Sequence, residues 1–151
     1  MKILIENRQR RHLVAARMLR EKAEKILSVL GLPESELSVS IVGDRTIRKL
    51  NREYLGKDKP TNVISFAMQE GPFADLNAYV LGDVVISADT AAHEAAEGNI
   101  PFEDRIIFLL LHGILHLAGY DHERSGEAEA IRMEEKEREI FKELHEADKL
   151  Y

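Results

Sequence analysis

The chain has 151 residues, a length that favours one domain over residues 1–151, with a core that needs no disulfide bridges. Hydrophobic residues make up 44% and charged residues 32% of it, which is typical of a globular protein and excludes a disordered chain. It contains no cysteine, which excludes a disulfide partner, a thiolate metal site and a cysteine nucleophile.

The membrane and secretory classes are also disfavoured. The longest run without charge, Ile106 to Tyr120, has 15 residues and two histidines, so it is too short and too polar to span a bilayer. Several charged residues directly follow the short apolar stretch of the N-terminal segment MKILIENRQRR, which is unlike a signal peptide. We therefore expect a cytoplasmic protein without a membrane partner.

The net charge of −6 disfavours general binding to nucleic acid, which depends on locally dense lysine and arginine. The basic residues are nevertheless concentrated near the N-terminus, within residues 1–25. That end could bind phosphate locally, or it could be an ordinary solvated helix face.

Apolar periodicity predicts nine elements along the chain. The first four are a strand, a helix that stops at Gly31, a second strand and a second helix capped by Asp44, over Met1–Asn7, Arg11–Leu30, Glu36–Val42 and Asp44–Leu55. Two strands and three helices follow, over Val63–Ala67, Tyr79–Ser87, Ala88–Gly98, Pro101–Leu117 and Ser125–Asp148. This order predicts a small α+β domain in which about five helices cover a four-stranded mixed sheet.

Three histidines carry the clearest chemical signal. His112 and His116 are four residues apart on the predicted helix Pro101–Leu117, so they project from one face. That helix is apolar on nearly all sides and is expected in the core. Gly119 can take the left-handed conformation that ends the helix and brings His122 back toward the pair. Burying three imidazoles without partners would be costly, so we expect a metal site on this central helix.

Three imidazoles without a thiolate favour zinc, with nickel, copper and iron as alternatives. Three protein ligands leave the fourth position of one zinc ion per chain open to water, as in catalytic sites. Zinc lowers the pKa of such water to about 7, so hydrolysis is the expected reaction class, with that water as nucleophile.

The spacing of His112, His116 and His122 matches the metzincin protease pattern H-E-x-x-H-x-x-G-x-x-H. Gly113 stands where that pattern has its general base, a glutamate, which argues against peptide hydrolysis. Asp121 is a candidate for handling the proton, or it is a carboxylate that orients a ligand or caps the turn.

The segments HGILHLAGYDH (His112–His122), LNREYLGKDKPTNVISFAM (Leu50–Met68) and LGDVVIS (Leu81–Ser87) together resemble the YbeY family of bacterial endoribonucleases. The resemblance extends from Ile41 to the C-terminal helix. It implies a zinc-dependent, single-strand-directed endoribonuclease that acts in 16S rRNA 3′-end maturation and ribosome quality control. The implied partners are single-stranded ribosomal RNA and the small ribosomal subunit with its assembly factors.

The resemblance also implies roles for individual residues. His112, His116 and His122 would bind the zinc, and Gly56–Asn62 would line the substrate groove. Lys57 and Lys59 would meet phosphate and Asn62 would contact substrate there, although charge alone makes this loop an ordinary solvated one.

One position departs from the family pattern. Leu55 stands where the family usually has an arginine that is thought to assist catalysis. Leucine can neither bind phosphate nor stabilise developing charge. Either the activity is weaker or another cation substitutes, and Arg52, on a neighbouring part of the same helical face, is our candidate.

Two alternatives remain at this point. One is a ribosome-assembly binding factor whose metal stabilises the fold and whose nuclease activity is weak or absent, and the other is a metalloprotease. The remaining histidines, His12, His93 and His145, lack ligand spacing and are predicted to be surface residues.

Overall fold

The computed structural model describes residues 2–32, 34–68, 80–120 and 127–149. Within them the strands are β1 (Lys2–Asn7), β2 (Glu36–Val42), β3 (Val63–Ala67) and β4 (Val80–Ser87). The helices are α1 (Ala16–Val29), α2 (Asp44–Leu55), α3 (Ala88–Gly98), α4 (Phe102–Leu117) and α5 (Glu127–Lys149). The α+β class is therefore confirmed.

The sheet has the strand order β1-β2-β4-β3. The neighbours β1 and β2, and β2 and β4, run parallel, whereas β3 pairs antiparallel with β4 at the edge. The predicted mixed sheet of four strands is therefore confirmed, with β3 last in the strand order.

Alternating residues of the strands face two apolar clusters. Val84 and Ile86 of β4 point into the larger cluster, which is built with α1, α4 and α5. Val85 points to the opposite face, where α2 covers the sheet with Ile47. Helix α4 lies at the centre of the larger cluster, as its sequence predicted.

Helix α1 begins at Ala16, five residues later than the predicted start at Arg11. The intervening segment is held by side-chain hydrogen bonds. The Gln9 amide donates to the His12 carbonyl at 2.8 Å, and the His12 backbone N–H donates to Gln9 Oε1 at 2.9 Å. Such local bonds offer the backbone an alternative to the helix, so the prediction was wrong for this first turn.

Asp44 does not cap α2 as predicted, because Gly43 is the N-cap and Asp44 lies in the first turn. The Asp44 backbone N–H donates instead to Asp89 Oδ2 at 2.9 Å. In return, the hydroxyl groups of Ser87 and Thr90 donate to Asp44 Oδ1. Asp89 therefore caps α2, and side-chain hydrogen bonds join the starts of α2 and α3.

His12 is not the surface residue that the sequence predicted. Its side chain is 25% exposed, lies 3.1 Å from Asp89 Oδ1 and packs against Phe102. His93 on α3 does lie at the surface, with 73% of its side chain exposed. His145 is half-buried against Phe141.

In the described part of the chain, no helix combines the length and the apolar character that a bilayer crossing requires.

Candidate metal centre

His112 and His116 project from one face of α4, which is fixed in the core by its buried residues. Their ring centroids are 4.7 Å apart, and the two Nε2 atoms are separated by 3.1 Å. The helix therefore directs two imidazole nitrogens to one point, as the spacing predicted.

This separation suits a shared zinc ion. Zinc binds imidazole nitrogen at about 2.0–2.1 Å, so two ligands on a tetrahedral ion lie roughly 3.3 Å apart. The observed 3.1 Å between the Nε2 atoms is close to that value. His112 and His116 would therefore hold the ion with little movement of either ring.

His122 and Asp121 lie outside the described residues, so their predicted roles stay predictions. The chain does turn directly after His116, because α4 ends at Leu117 and Gly119 has φ 101°. The Tyr120 backbone N–H donates back to the Leu115 carbonyl at 3.0 Å. Over the ranges that the structure covers, no group of three or more potential metal ligands occurs.

Gly113 lies where α4 packs closely against the sheet. A Cβ atom at this position would come within 2.6 Å of Val84 Cγ1. The Ser65 hydroxyl donates to the Gly113 carbonyl at 3.0 Å and holds α4 against β3. A glutamate at position 113 would have to displace a β-branched side chain of the core. The packing thus gives a steric reason for the departure from the protease pattern.

Glu137 of α5 is a residue that the sequence analysis missed. Its Oε1 lies 2.7 Å from His112 Nδ1, and the residue is only 5% exposed. The available signal was helical periodicity, because Glu137 interrupts the buried stripe of Met133, Ile140 and Leu144. An acid at a core position of an amphipathic helix indicates a buried partner.

The loop after α2 contains the two lysines that are predicted to contact phosphate. Lys57 and Lys59 are exposed, and the backbone beneath them is anchored because the buried Asn51 amide donates to the Lys59 carbonyl at 2.9 Å. The loop is therefore tied to α2 while both lysines are exposed.

An ion pair fixes the same loop from its outer side. Arg48 Nε donates to Asp58 Oδ1 at 2.9 Å. This hydrogen bond lowers the pKa of Asp58 and raises that of Arg48. Arg52 lies 3.9 Å from the same carboxylate and is 54% exposed, so its guanidinium is only loosely held.

Asn62 is half-buried, and its amide donates to both carboxylate oxygens of Glu94 at 3.2 Å. Arg105 of α4 donates to the same carboxylate at 3.1 Å. Asn62 thus links the start of β3 to α3 and α4, and its proposed contact with substrate stays a prediction.

The structure brings the loop and the histidines to the same edge strand at different points. Asn62 precedes β3, whereas Ser65 within β3 contacts the turn of α4 between the two histidines. These two points, Asn62 and Ser65, are three residues apart, which corresponds to about 10 Å of extended chain.

Leu55, at the position of the family's usual arginine, is 54% exposed at the end of α2. Its neighbour Tyr54 is 66% exposed and meets Phe66 of β3 edge to face, with ring centroids 5.3 Å apart. This end of α2 therefore presents apolar side chains to solvent beside the exposed lysines.

Comparison with known proteins gives consistent matches. Residues 4–145 match the family described as Endoribonuclease YbeY. Proteins of that name from Geobacter sulfurreducens and Geobacter metallireducens are each 69% identical over 141 residues, which is 93% of this chain and 94% of each relative. The protein of that name from Syntrophotalea carbinolica is 54% identical over 144 residues, covering 95% of this chain and 96% of the relative.

Among solved structures, the chain is similar to the solution structure of TM1509 from Thermotoga maritima. The TM-score is 0.62 at 26% sequence identity, and the match covers 96% of this chain and 93% of that one. The α+β arrangement is thus shared by a protein of quite different sequence.

Proposed function

Because the chain belongs to the YbeY family of endoribonucleases, we propose that it is a zinc-dependent enzyme that cleaves single-stranded RNA. Its role would be maturation of the 16S rRNA 3′ end and ribosome quality control in the cytoplasm. Its partners would be the small ribosomal subunit and the associated assembly factors. The observation that carries the zinc proposal is the 3.1 Å separation of the His112 and His116 Nε2 atoms.

Each group has a defined task in this proposal. His112 and His116 hold one zinc ion together with His122. When bound, zinc supplies a Lewis acid that polarises a phosphoryl oxygen. Lys57 and Lys59 bind phosphates of the RNA backbone, and the loosely held Arg52 turns toward the same RNA strand. Asp121 remains the candidate for proton transfer.

The close packing at Gly113 supports a nuclease over a metalloprotease. A protease of the metzincin pattern needs a glutamate at position 113. The side chain of Val84 occupies the space into which that glutamate would extend. Failure of the zinc-loaded protein to cleave unfolded casein would agree with this assignment, and efficient cleavage would contradict it.

The decisive experiment compares His116→Ala with His93→Ala, whose side chain is 73% exposed on α3. We expect His116→Ala to lose zinc and RNA cleavage together while keeping its circular dichroism spectrum. The matched control should keep both properties. The measurements are metal analysis of the pure proteins and cleavage of a defined single-stranded RNA with and without a chelator. Unchanged cleavage by metal-free His116→Ala would contradict the proposal.

A second candidate function is favoured by the exposed Leu55, which lacks the charge of the usual arginine. In that case the protein is an assembly factor that binds RNA, and the metal mainly stabilises its fold. Turnover separates the two functions. An enzyme present in catalytic amount cleaves a large molar excess of RNA, whereas a binding factor does not.

A further inference from the structure

Glu137 is a buried acid that the proposed chemistry leaves without a task. It is 5% exposed and lies on the face of α5 that packs against α4. Burying a carboxylate is costly unless a partner compensates for its lost hydration. Its short contact with His112 Nδ1, at 2.7 Å, identifies that partner.

For a neutral imidazole, this contact sets which ring nitrogen of His112 carries the proton. A carboxylate is an acceptor, so the neutral His112 ring must carry its proton on Nδ1 and donate it to Glu137. Its Nε2 is then the unprotonated ring nitrogen, the type of atom that binds a metal, and it lies 3.1 Å from His116 Nε2. The ring of Phe108 lies beside His112, at 6.3 Å between centroids and 28° between planes.

We propose that Glu137 is a positioning residue for the metal centre, which fixes the tautomer and the orientation of His112. The packing of α5 against α4 therefore contributes to the metal site, because it brings Glu137 to His112. This inference rests on the proposed zinc function. It assigns to the C-terminal helix a task that the histidine motif alone does not contain. Metal-bound histidines commonly donate their second N–H to such a carboxylate.

The first test measures zinc affinity by competition with a chromophoric chelator at neutral pH. Glu137→Gln keeps the shape of the side chain and removes its charge, and Glu137→Ala removes the acceptor. We expect affinity to fall about 10–100-fold in both variants, as is typical when such a carboxylate is lost. Glu135→Gln, an exposed change of the same charge on the same helix, should leave affinity unchanged.

The second test does not depend on zinc. Nitrogen-15 spectra of the histidine rings, recorded on the metal-free protein at a pH where these rings are neutral, should show His112 as the Nδ1–H tautomer in the wild type, and a tautomer mixture in Glu137→Gln. Circular dichroism of each metal-free variant confirms that it is folded.

The outcomes separate the two proposals. Zinc binding of wild-type strength in folded Glu137→Gln, or an Nε2–H tautomer in the wild type, would overturn the role of Glu137 and leave the nuclease proposal intact. A wild-type protein that shows the expected tautomer but binds no zinc would overturn the zinc proposal, and the metal-positioning role with it.

Discussion

At the scale of single residues, Gly113 sets how closely α4 approaches the sheet. The Cβ of an alanine there would lie 2.6 Å from Val84 Cγ1, and valine has few alternative rotamers with which to yield. We expect Gly113→Ala to lower the free energy of unfolding by about 1–3 kcal/mol, as is usual for overpacked cores. Urea denaturation at neutral pH measures this.

A double variant tests the physical cause. Val84→Ala removes the methyl groups that the new Cβ would meet, so Gly113→Ala should cost less in that background than in the wild type. Contacting residues show such non-additivity, whereas distant ones do not. If the two changes are additive, the destabilisation comes from a source other than this contact.

Leu55 offers a gain-of-function prediction. It is 54% exposed at the end of α2, so an arginine there meets no steric barrier and adds a cation beside Lys57. We expect Leu55→Arg to bind and cleave single-stranded RNA more strongly. If the guanidinium contacts one phosphate, the salt dependence of log Kobs should steepen by about 0.7.

The control for this prediction is Leu13→Arg, because Leu13 is 97% exposed and lies before α1. It adds the same charge at a remote place. An equal gain from Leu13→Arg would show that net charge, rather than position 55, controls RNA binding.

At the scale of elements, the first turns of α2 and α3 depend on one another. Asp89 Oδ2 accepts from the Asp44 backbone N–H at 2.9 Å, and Asp44 accepts from the hydroxyls of Thr90 in α3 and of Ser87, the N-cap of α3. Loss of a capping acceptor costs about 0.5–2 kcal/mol. We expect Asp89→Ala to destabilise the protein by that amount in thermal or urea unfolding. Glu97→Ala, an exposed change on the same helix, should have a small effect.

The same carboxylate predicts a dependence on pH. The hydrogen bond from the Asp44 backbone holds the pKa of Asp89 below its usual range, and His12 and Arg11 act in the same direction. A lowered pKa stabilises the folded state above the ordinary carboxyl value of about 4. That stabilisation is lost as the pH falls through the lower folded-state value. Asp89→Asn should therefore lose less stability than the wild type between neutral and acidic pH, and identical pH profiles would contradict this.

At the scale of the whole molecule, the proposed zinc ion would connect α4 to the chain that follows it. A ligand that binds only the folded state at about 100 times its Kd adds roughly 2.7 kcal/mol. In a chain of this size that raises Tm by about 5–10 °C. We expect calorimetry to show such a rise on adding zinc to metal-free wild type and a smaller one in His116→Ala. Equal melting with and without zinc would contradict the proposed site.

Much of the fold followed from local sequence patterns. The strands β2 and β3 and the helices α2 to α4 lie where apolar periodicity predicted them, since each is defined by residues two to four positions apart. The start of α1 did not follow, because hydrogen bonds of Gln9 with His12 hold the chain in another conformation. The capping of α2 could not be predicted from local patterns either, because the acceptor, Asp89, lies 45 residues beyond Asp44 in the chain.

For the site, the sequence alone determined that His112 and His116 share one face of a helix, because 3.6 residues per turn brings positions four apart together. It also determined the family, through motifs that are contiguous in the chain. Only tertiary packing decided that Glu137, 25 residues beyond His112, reaches its ring, and that Val84 closes the space beside Gly113. Periodicity specifies which face of an element is buried, but the partner of that face depends on how separate elements dock.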